Sequence, residues 1–172
     1  MTNWGKNPVL EKEKINELMI VSNLNDKNRR FVAKRYTCLD GDGNETYQLI
    51  ETKYGKKRCP GIYVQEDDVW EEIIMRIEVK HTTKLWNNEY LIIECEKFND
   101  YVCVQSSEEV DGRIIFLVDS DGIWYWETLY KLDLWKEKEY INNDKFKGNF
   151  YKWKAKNLRI FKGGDEFFSA RQ

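Results

Sequence analysis

One histidine, His81, stands in a chain of 172 residues. No Ser-His-Asp or Cys-His arrangement gathers around it, so histidine-based hydrolysis is excluded. The four cysteines, Cys38, Cys59, Cys95 and Cys103, form no CxxC pair and no metal-finger spacing. Three lie in strand-like or amphipathic runs that suit buried thiols, which points to a reducing, cytoplasmic compartment. There is no Gly-rich phosphate loop. No apolar run reaches ~18 residues and the N-terminus is not signal-like, so neither a membrane-spanning nor a secreted protein is expected. Charge of one sign is lacking too: 28 Lys+Arg stand against 30 Asp+Glu. That balance gives no whole-chain footprint for nucleic acid and leaves a local one open.

What is abundant is aromatic. Aromatic residues make up 15% of the chain and include seven tryptophans. An aromatic core is the expected use, with a stacking surface as the alternative. The length suits one domain over 1–172, able to bury roughly two thirds of its unfolded surface.

The chain begins with a helix expected over 8–22. Pro8 suits its first turn, and Leu10, Ile15, Leu18, Met19 and Leu24 form an apolar stripe near the 3.6-residue period. Glu11, Glu13 and Glu17 share the other side with lysines and read as a solvated face. Asn25-Asp26 can stop this helix and cap another. Phe31, Val32, Tyr36 and Leu39 fit a second helical face over 29–39, although their β-branched and aromatic content also suits a strand. Asp40, Asp42, Asn44 and Glu51 fall at calcium-loop positions, but Glu45 replaces the required glycine, so the segment reads as a turn. Lys53 to Arg58 reads as a basic loop.

Alternation is clearest from Ile73 to Thr83. Met75, Ile77 and Val79 alternate with Arg76, Glu78 and Lys80, which puts the two sets on opposite faces of a strand. Glu78 and Lys80 therefore point the same way, as a solvated ion pair or as the centre of a metal-assisted site. His81 points away from them and is expected to be satisfied or solvent-facing. Tyr90–Ile93 reads as a strand, Glu94–Glu109 as a helix, and Arg113–Val118 as a buried strand. Ile123–Trp126 follows as a strand, with a short helix or turn carrying Leu129, Leu132 and Leu134. Lys136–Asn149 is polar and reads as loop. Phe150–Trp153 alternates into Leu158–Phe161 as a C-terminal strand extension, over about 150–161, and the tail from Gly163 is expected to fray.

This order of elements, with Pro60-Gly61-Ile62-Tyr63-Val64 ahead of Ile77-Glu78-Val79-Lys80-His81-Thr82-Thr83, resembles the PD-(D/E)XK nuclease superfamily. The resemblance covers about 28–135. It implies an α+β or α/β fold, a central mixed sheet flanked by helices in the restriction-endonuclease-like manner. It also implies a Mg²⁺- or Mn²⁺-dependent endonuclease acting on nucleic acid, DNA in preference to RNA. Glu78 and Lys80 would be catalytic, and Glu78 with the carbonyl of Val79 would hold the metal. Such a cation polarises the phosphate and lowers the pKa of an attacking water, while the lysine stabilises developing charge.

The resemblance breaks at Gly61, where the superfamily places an aspartate. Either Asp67 or Asp68 folds back to supply that charge, with Asp68 the named ligand, or the site is empty. Lys56, Lys57, Arg58 and Lys84 are the expected phosphate contacts. Two alternatives stay open: an inactive nucleic-acid-binding relative, and an acidic, Trp-rich inhibitor or immunity-type protein binding a protein partner. An exposed aromatic patch near Trp124 and Trp126 would favour the latter.

Overall fold

The computed structural model describes residues 8–27, 31–46, 48–66, 73–107, 113–163 and 166–167. Helix α1 (Pro8–Lys27) leads into strands β1 (Phe31–Arg35) and β2 (Cys38–Leu39). Strands β3 (Glu45–Thr46), β4 (Leu49–Thr52), β5 (Gly55–Arg58), β6 (Ile62–Glu66), β7 (Ile73–Thr82) and β8 (Tyr90–Glu94) follow. Helix α2 (Cys95–Ser107), strands β9 (Arg113–Ser120) and β10 (Ile123–Thr128), and helix α3 (Leu129–Trp135) come next. The chain closes with β11 (Glu137–Asn142), β12 (Lys147–Lys154), a 3-10 turn (Ala155–Asn157) and β13 (Arg159–Ile160).

Six strands form a mixed sheet in the order β1-β6-β7-β9-β10-β13. Only β7 and β9 run parallel, with α2 in the crossover between them; the other neighbours are antiparallel. One face packs Ile20 and Leu24 of α1 onto Ile62, Val64, Ile77, Val79, Ile115 and Leu117. The other face packs Phe98, Tyr101 and Val104 of α2 and Leu129 and Leu132 of α3 onto Ile114 and Phe116. A second sheet, β11-β12-β8, adds Ile93 and Trp153 to that layer. The aromatics are largely core: Phe98 lies 5.2–6.0 Å from Phe116, Tyr151 and Trp153, ring centre to ring centre. Ile77, Val79 and Ile114–Val118 are buried as the alternation and the apolar run require.

Five expectations give way. Residues 31–35 form an edge strand rather than a helix, paired with β6 from Phe31↔Glu66 to Arg35↔Ile62. Asn25, in the last turn of α1, leads into a strand and not into a second helix; its side chain donates to and accepts from the Ala33 backbone, clamping β1 to the helix. Residues 53–58 belong to the β4–β5 hairpin, with Gly55 at φ 96° in its turn, a conformation that favours glycine. The polar stretch 136–149 holds β11 and the start of β12, because β11 is an edge strand exposed along most of its length. Within the tail expected to fray, Phe167 is fully buried, 4.8 Å from the Trp126 ring centre.

The largest correction concerns α1. Three residues of its apolar stripe face outward: Ile15, Leu18 and Met19 are about half exposed, at 57%, 50% and 49%. Leu24 of the stripe is buried, and Asn16, Glu17 and Ile20 face the sheet with it. The supposedly solvated acidic face is thus partly interior, and it lies over the end of β7. Asp40 closes its turn by accepting from the amides of Asp42 and Asn44, as a turn reading requires. Cys59 and Cys95 are buried, Cys38 and Cys103 half-buried, and none is in a disulfide. No helix among the described residues is long and apolar enough to cross a membrane.

Candidate active site

Strands β6 and β7 pair only as far as Ile62↔Ile77. Beyond that point β7 continues beside β9, from Glu78↔Phe116 to Thr82↔Ser120. The chain at Gly61 turns toward β1, where its carbonyl accepts from the Tyr36 amide at 2.8 Å. Glu78, Val79 and Lys80 therefore stand where two strands part, with β9 on one side and no β6 partner on the other.

Glu78 is 7% exposed, and Lys80 Nζ lies 3.5 Å from its Oε1. The pair is thus not a solvated surface pair. Tyr101 of α2 lies close enough to feel the Glu78 charge, and burial together with that carboxylate pushes its phenol up. Burial drives the Lys80 ammonium down, but Glu78 and Glu13 outweigh it and hold its pKa above the ordinary value. Lys80 is therefore a fixed cation. Its neighbour Lys97 of α2 is pushed down to about 8, first by Lys80 and then by burial.

Two further carboxylates arrive from α1, one turn apart. Glu17 accepts from Arg35 Nε and Nη2 at 3.3 Å each, and Arg35 also binds Glu45 at 3.1 and 3.2 Å. Burial, then the charge of Glu78, push Glu17 up to about 7 against the pull of Arg35. Glu13 is also raised, by burial first, with Lys80 opposing and Glu78 reinforcing. Glu13 Oε1 accepts from the His81 amide at 3.4 Å. His81 is satisfied on its own side, its Nδ1 3.0 Å from Asp119 Oδ2, which also accepts from Asn16 at 3.4 Å.

The gap left by Gly61 is filled. A Cβ built on Gly61 would stand 1.7 Å from Glu17 Oε2 and 2.8 Å from its Cδ. The helix thus delivers a carboxylate into the space that an aspartate side chain at position 61 would take. Sequence reasoning missed Glu17 and Glu13 because a charged helix face reads as solvated; their i,i+4 spacing was the available signal. Asp67 and Asp68 lie outside the described residues.

Glu13, Glu17 and Glu78 are oxygen donors, the kind a hard divalent cation takes. Burial first, reinforced by the charge of Glu78, raises the pKa of Glu13 and Glu17, and a cation would oppose that shift. The set fits in kind and charge. Among the described residues, however, no three His, Cys, Asp or Glu side chains stand close enough to hold an ion without moving.

The expected phosphate contacts divide. Arg58 is close enough for its charge to act on Tyr101, and its amide donates to Asp100 of α2 at 3.2 Å. Lys56 faces Glu51 across the hairpin, and Lys57 faces Ile50. Lys84 is exposed just beyond β7, where its carbonyl accepts from the Thr82 hydroxyl at 2.9 Å. The aromatic patch at Trp124 and Trp126 is not exposed. Trp126 is 2% exposed, and Trp124 packs 6.4 Å from Phe161.

No protein-family model and no curated protein sequence matches the chain. Among solved structures it is similar to Hjc, a Holliday junction resolvase from the archaeal hyperthermophile Archaeoglobus fulgidus. The TM-score is 0.50 at 12% identity, over 87% of this chain and 91% of that one. It is also similar to D212, a nuclease from a fusselovirus, at TM-score 0.50 and 15% identity, over 90% of this chain and 87% of that one. At such identities the likeness is one of fold, and that fold is restriction-endonuclease-like, as the resemblance in the sequence implies.

Proposed function

We propose that this restriction-endonuclease-like chain is a divalent-metal-dependent nuclease acting on DNA phosphodiesters. The observation that carries the reading is the Glu17 carboxylate in the side-chain space of residue 61, within reach of the charge of Glu78, which pairs with Lys80. Glu78 and Glu17, with the Val79 carbonyl, would hold Mg²⁺ or Mn²⁺, and Glu13 would stand behind them. The ion supplies charge neutralisation at the phosphate and a more acidic water.

The protein's own part is electrostatic. Lys80, kept protonated by Glu78 and Glu13, presents a cation to the phosphate oxygens and stabilises the charge that grows on them. Lys97, near 8, can give or take a proton close to neutral pH. Tyr101 of α2 lies against the Glu78 charge, and Arg35 fixes Glu17 from β1. Arg58, Lys56, Lys57 and Lys84 would track the backbone on either side.

The test is cleavage of linear and branched DNA with Mg²⁺ or Mn²⁺. Wild-type protein is expected to cut, and Glu78→Gln, Glu17→Gln and Lys80→Met each to lose at least ~10²-fold while keeping the cooperative melt. A second reading, a nucleic-acid binder that does not cut, draws on Arg35 holding Glu17 toward Glu45. Metal-independent DNA binding without cleavage would establish it instead.

A further inference from the structure

A cavity of about 450 Å³ lies between the main sheet and the small one. On one side it is walled by Phe116, Val118 and Tyr125 of β9 and β10, and on the other by β8 and by Phe150 and Trp153 of β12. Glu13, Lys80 and Lys97 belong both to this wall and to the candidate active site. The cavity therefore starts at the residues proposed to meet the scissile phosphate. Its lining also includes exposed Lys84, Glu94 and Lys145, so it opens to solvent.

The chemistry of the wall is selective. The surface is mainly apolar and aromatic, with the half-buried pair Trp86 and Tyr90, ring centres 5.9 Å apart, near its polar end. Lys152 lies over both rings, 5.7 and 4.6 Å from their centres. A single carboxylate, Glu127, is buried in the lining at 2% exposure. Its Oε2 accepts from Arg159 and from the Thr128 amide, and Lys131 Nζ lies 3.9 Å from its Oε1. Flat apolar walls, one buried acceptor and lysines at the mouth match a flat heterocycle tethered to a polyanion. The volume falls within the range of ligand pockets.

We propose that this cavity receives an unpaired nucleobase from the strand whose phosphate lies at Lys80. The proposal rests on the nucleic-acid reading of the active site. Stacking between aromatic walls returns the energy of leaving the helix, and that cost is least for a base that is already unpaired. The buried Glu127 Oε1 can accept an exocyclic amino or ring N–H, as carboxylates do from cytosine. DNA carrying an unpaired base next to the cut is thus the preferred substrate class over perfect duplex.

The experiment uses full-length protein, Ca²⁺ in place of Mg²⁺ and DNA with 2-aminopurine at a paired or a bulged position. Bulged DNA is expected to bind about tenfold tighter than duplex, with its 2-aminopurine emission quenched on binding. Trp86→Leu and the cavity-filling Ile92→Trp should each remove the preference and the quench, while duplex binding stays within about twofold of wild type. The wild-type comparison of bulged with paired DNA stands even if one variant fails to fold. Equal affinity for the two DNAs, or a quench unchanged in both folded variants, overturns the cavity proposal and leaves the nuclease reading standing. No binding to any DNA overturns both.

Discussion

The Glu17 carboxylate and the backbone of Gly61 exclude any side chain between them, with only 1.7 Å from Glu17 Oε2 to where a Cβ on residue 61 would stand. Glycine at 61 is thus the complement of glutamate at 17. The helix thus brings a carboxylate against residue 61, where it feels the charge of Glu78.

A swap tests this pairing. Gly61→Asp alone should displace Glu17 from Arg35 and set two carboxylates against each other, lowering both stability and cleavage. Because the atom struck is the end of a side chain, the stability cost should be modest, about 1–3 kcal/mol, against an activity loss of ~10²-fold or more. Adding Glu17→Ala to Gly61→Asp should recover activity toward wild type and show a coupling above about 1 kcal/mol in a thermodynamic cycle. Additive losses in the double variant would separate the two positions.

Glu17 also sets a pH dependence. Its pKa rises from 4.5 unfolded to about 7 folded, so it favours the fold only while protonated. That contribution is complete below pH 4.5 and is lost as pH rises through 7, removing roughly 2–4 kcal/mol of stability. Glu17→Gln keeps the acceptor for Arg35 without the charge, so it should melt higher than wild type at pH 8 and not at pH 5. Mn²⁺ should raise the wild-type melting temperature more at pH 8 than at pH 6. Parallel melting curves for wild type and Glu17→Gln from pH 5 to 8 would remove this account.

How much of this was legible follows from where each residue's partners lie. Glu78 and Lys80 could be read because the period of two is a property of the strand itself, and Ile114–Val118 because a fully buried strand needs an unbroken apolar run. Glu17 could not, because what draws it inward is Arg35, 18 residues on, and a missing side chain at 61. The α1 stripe misled for the same reason: Ile15, Leu18 and Met19 satisfy the period yet face out, while Asn16 reaches Asp119 across the fold. β1 and β11 were misread as helix and loop because both lie at sheet edges, where packing constrains sequence from one side only.

The sheet core makes a prediction independent of function. Ile77 is 0% exposed in β7 and Phe116 is 2% exposed in β9, packed on opposite faces. Ile77→Ala and Phe116→Ala should each cost ~2–5 kcal/mol in denaturant unfolding, through lost burial and a residual cavity. Because the two side chains belong to separate cores on opposite faces of the sheet, their costs should add within about 0.5 kcal/mol. A midpoint shift worth less than about 1 kcal/mol in both would contradict the central placement of β7 and β9.

Salt dependence isolates the hairpin from the catalytic gap. Strand β5 packs on α2, and Tyr101 feels the charges of both its Arg58 and Glu78; DNA at the gap should therefore meet the hairpin. Each phosphate contact releases counterions, so the logarithm of duplex affinity should fall with that of salt at roughly 0.9 per contact. Replacing Lys56, Lys57 and Arg58 together with Ala should weaken binding at low salt and flatten that slope by about 2–3. Lys84→Ala should flatten it by about one and leave the melting temperature unchanged, since its side chain is exposed. Binding measured in Ca²⁺ over a range of salt decides the matter. A slope that the triple substitution leaves unaltered would move the DNA track off the hairpin, toward Lys84 and Lys145 at the mouth of the cavity.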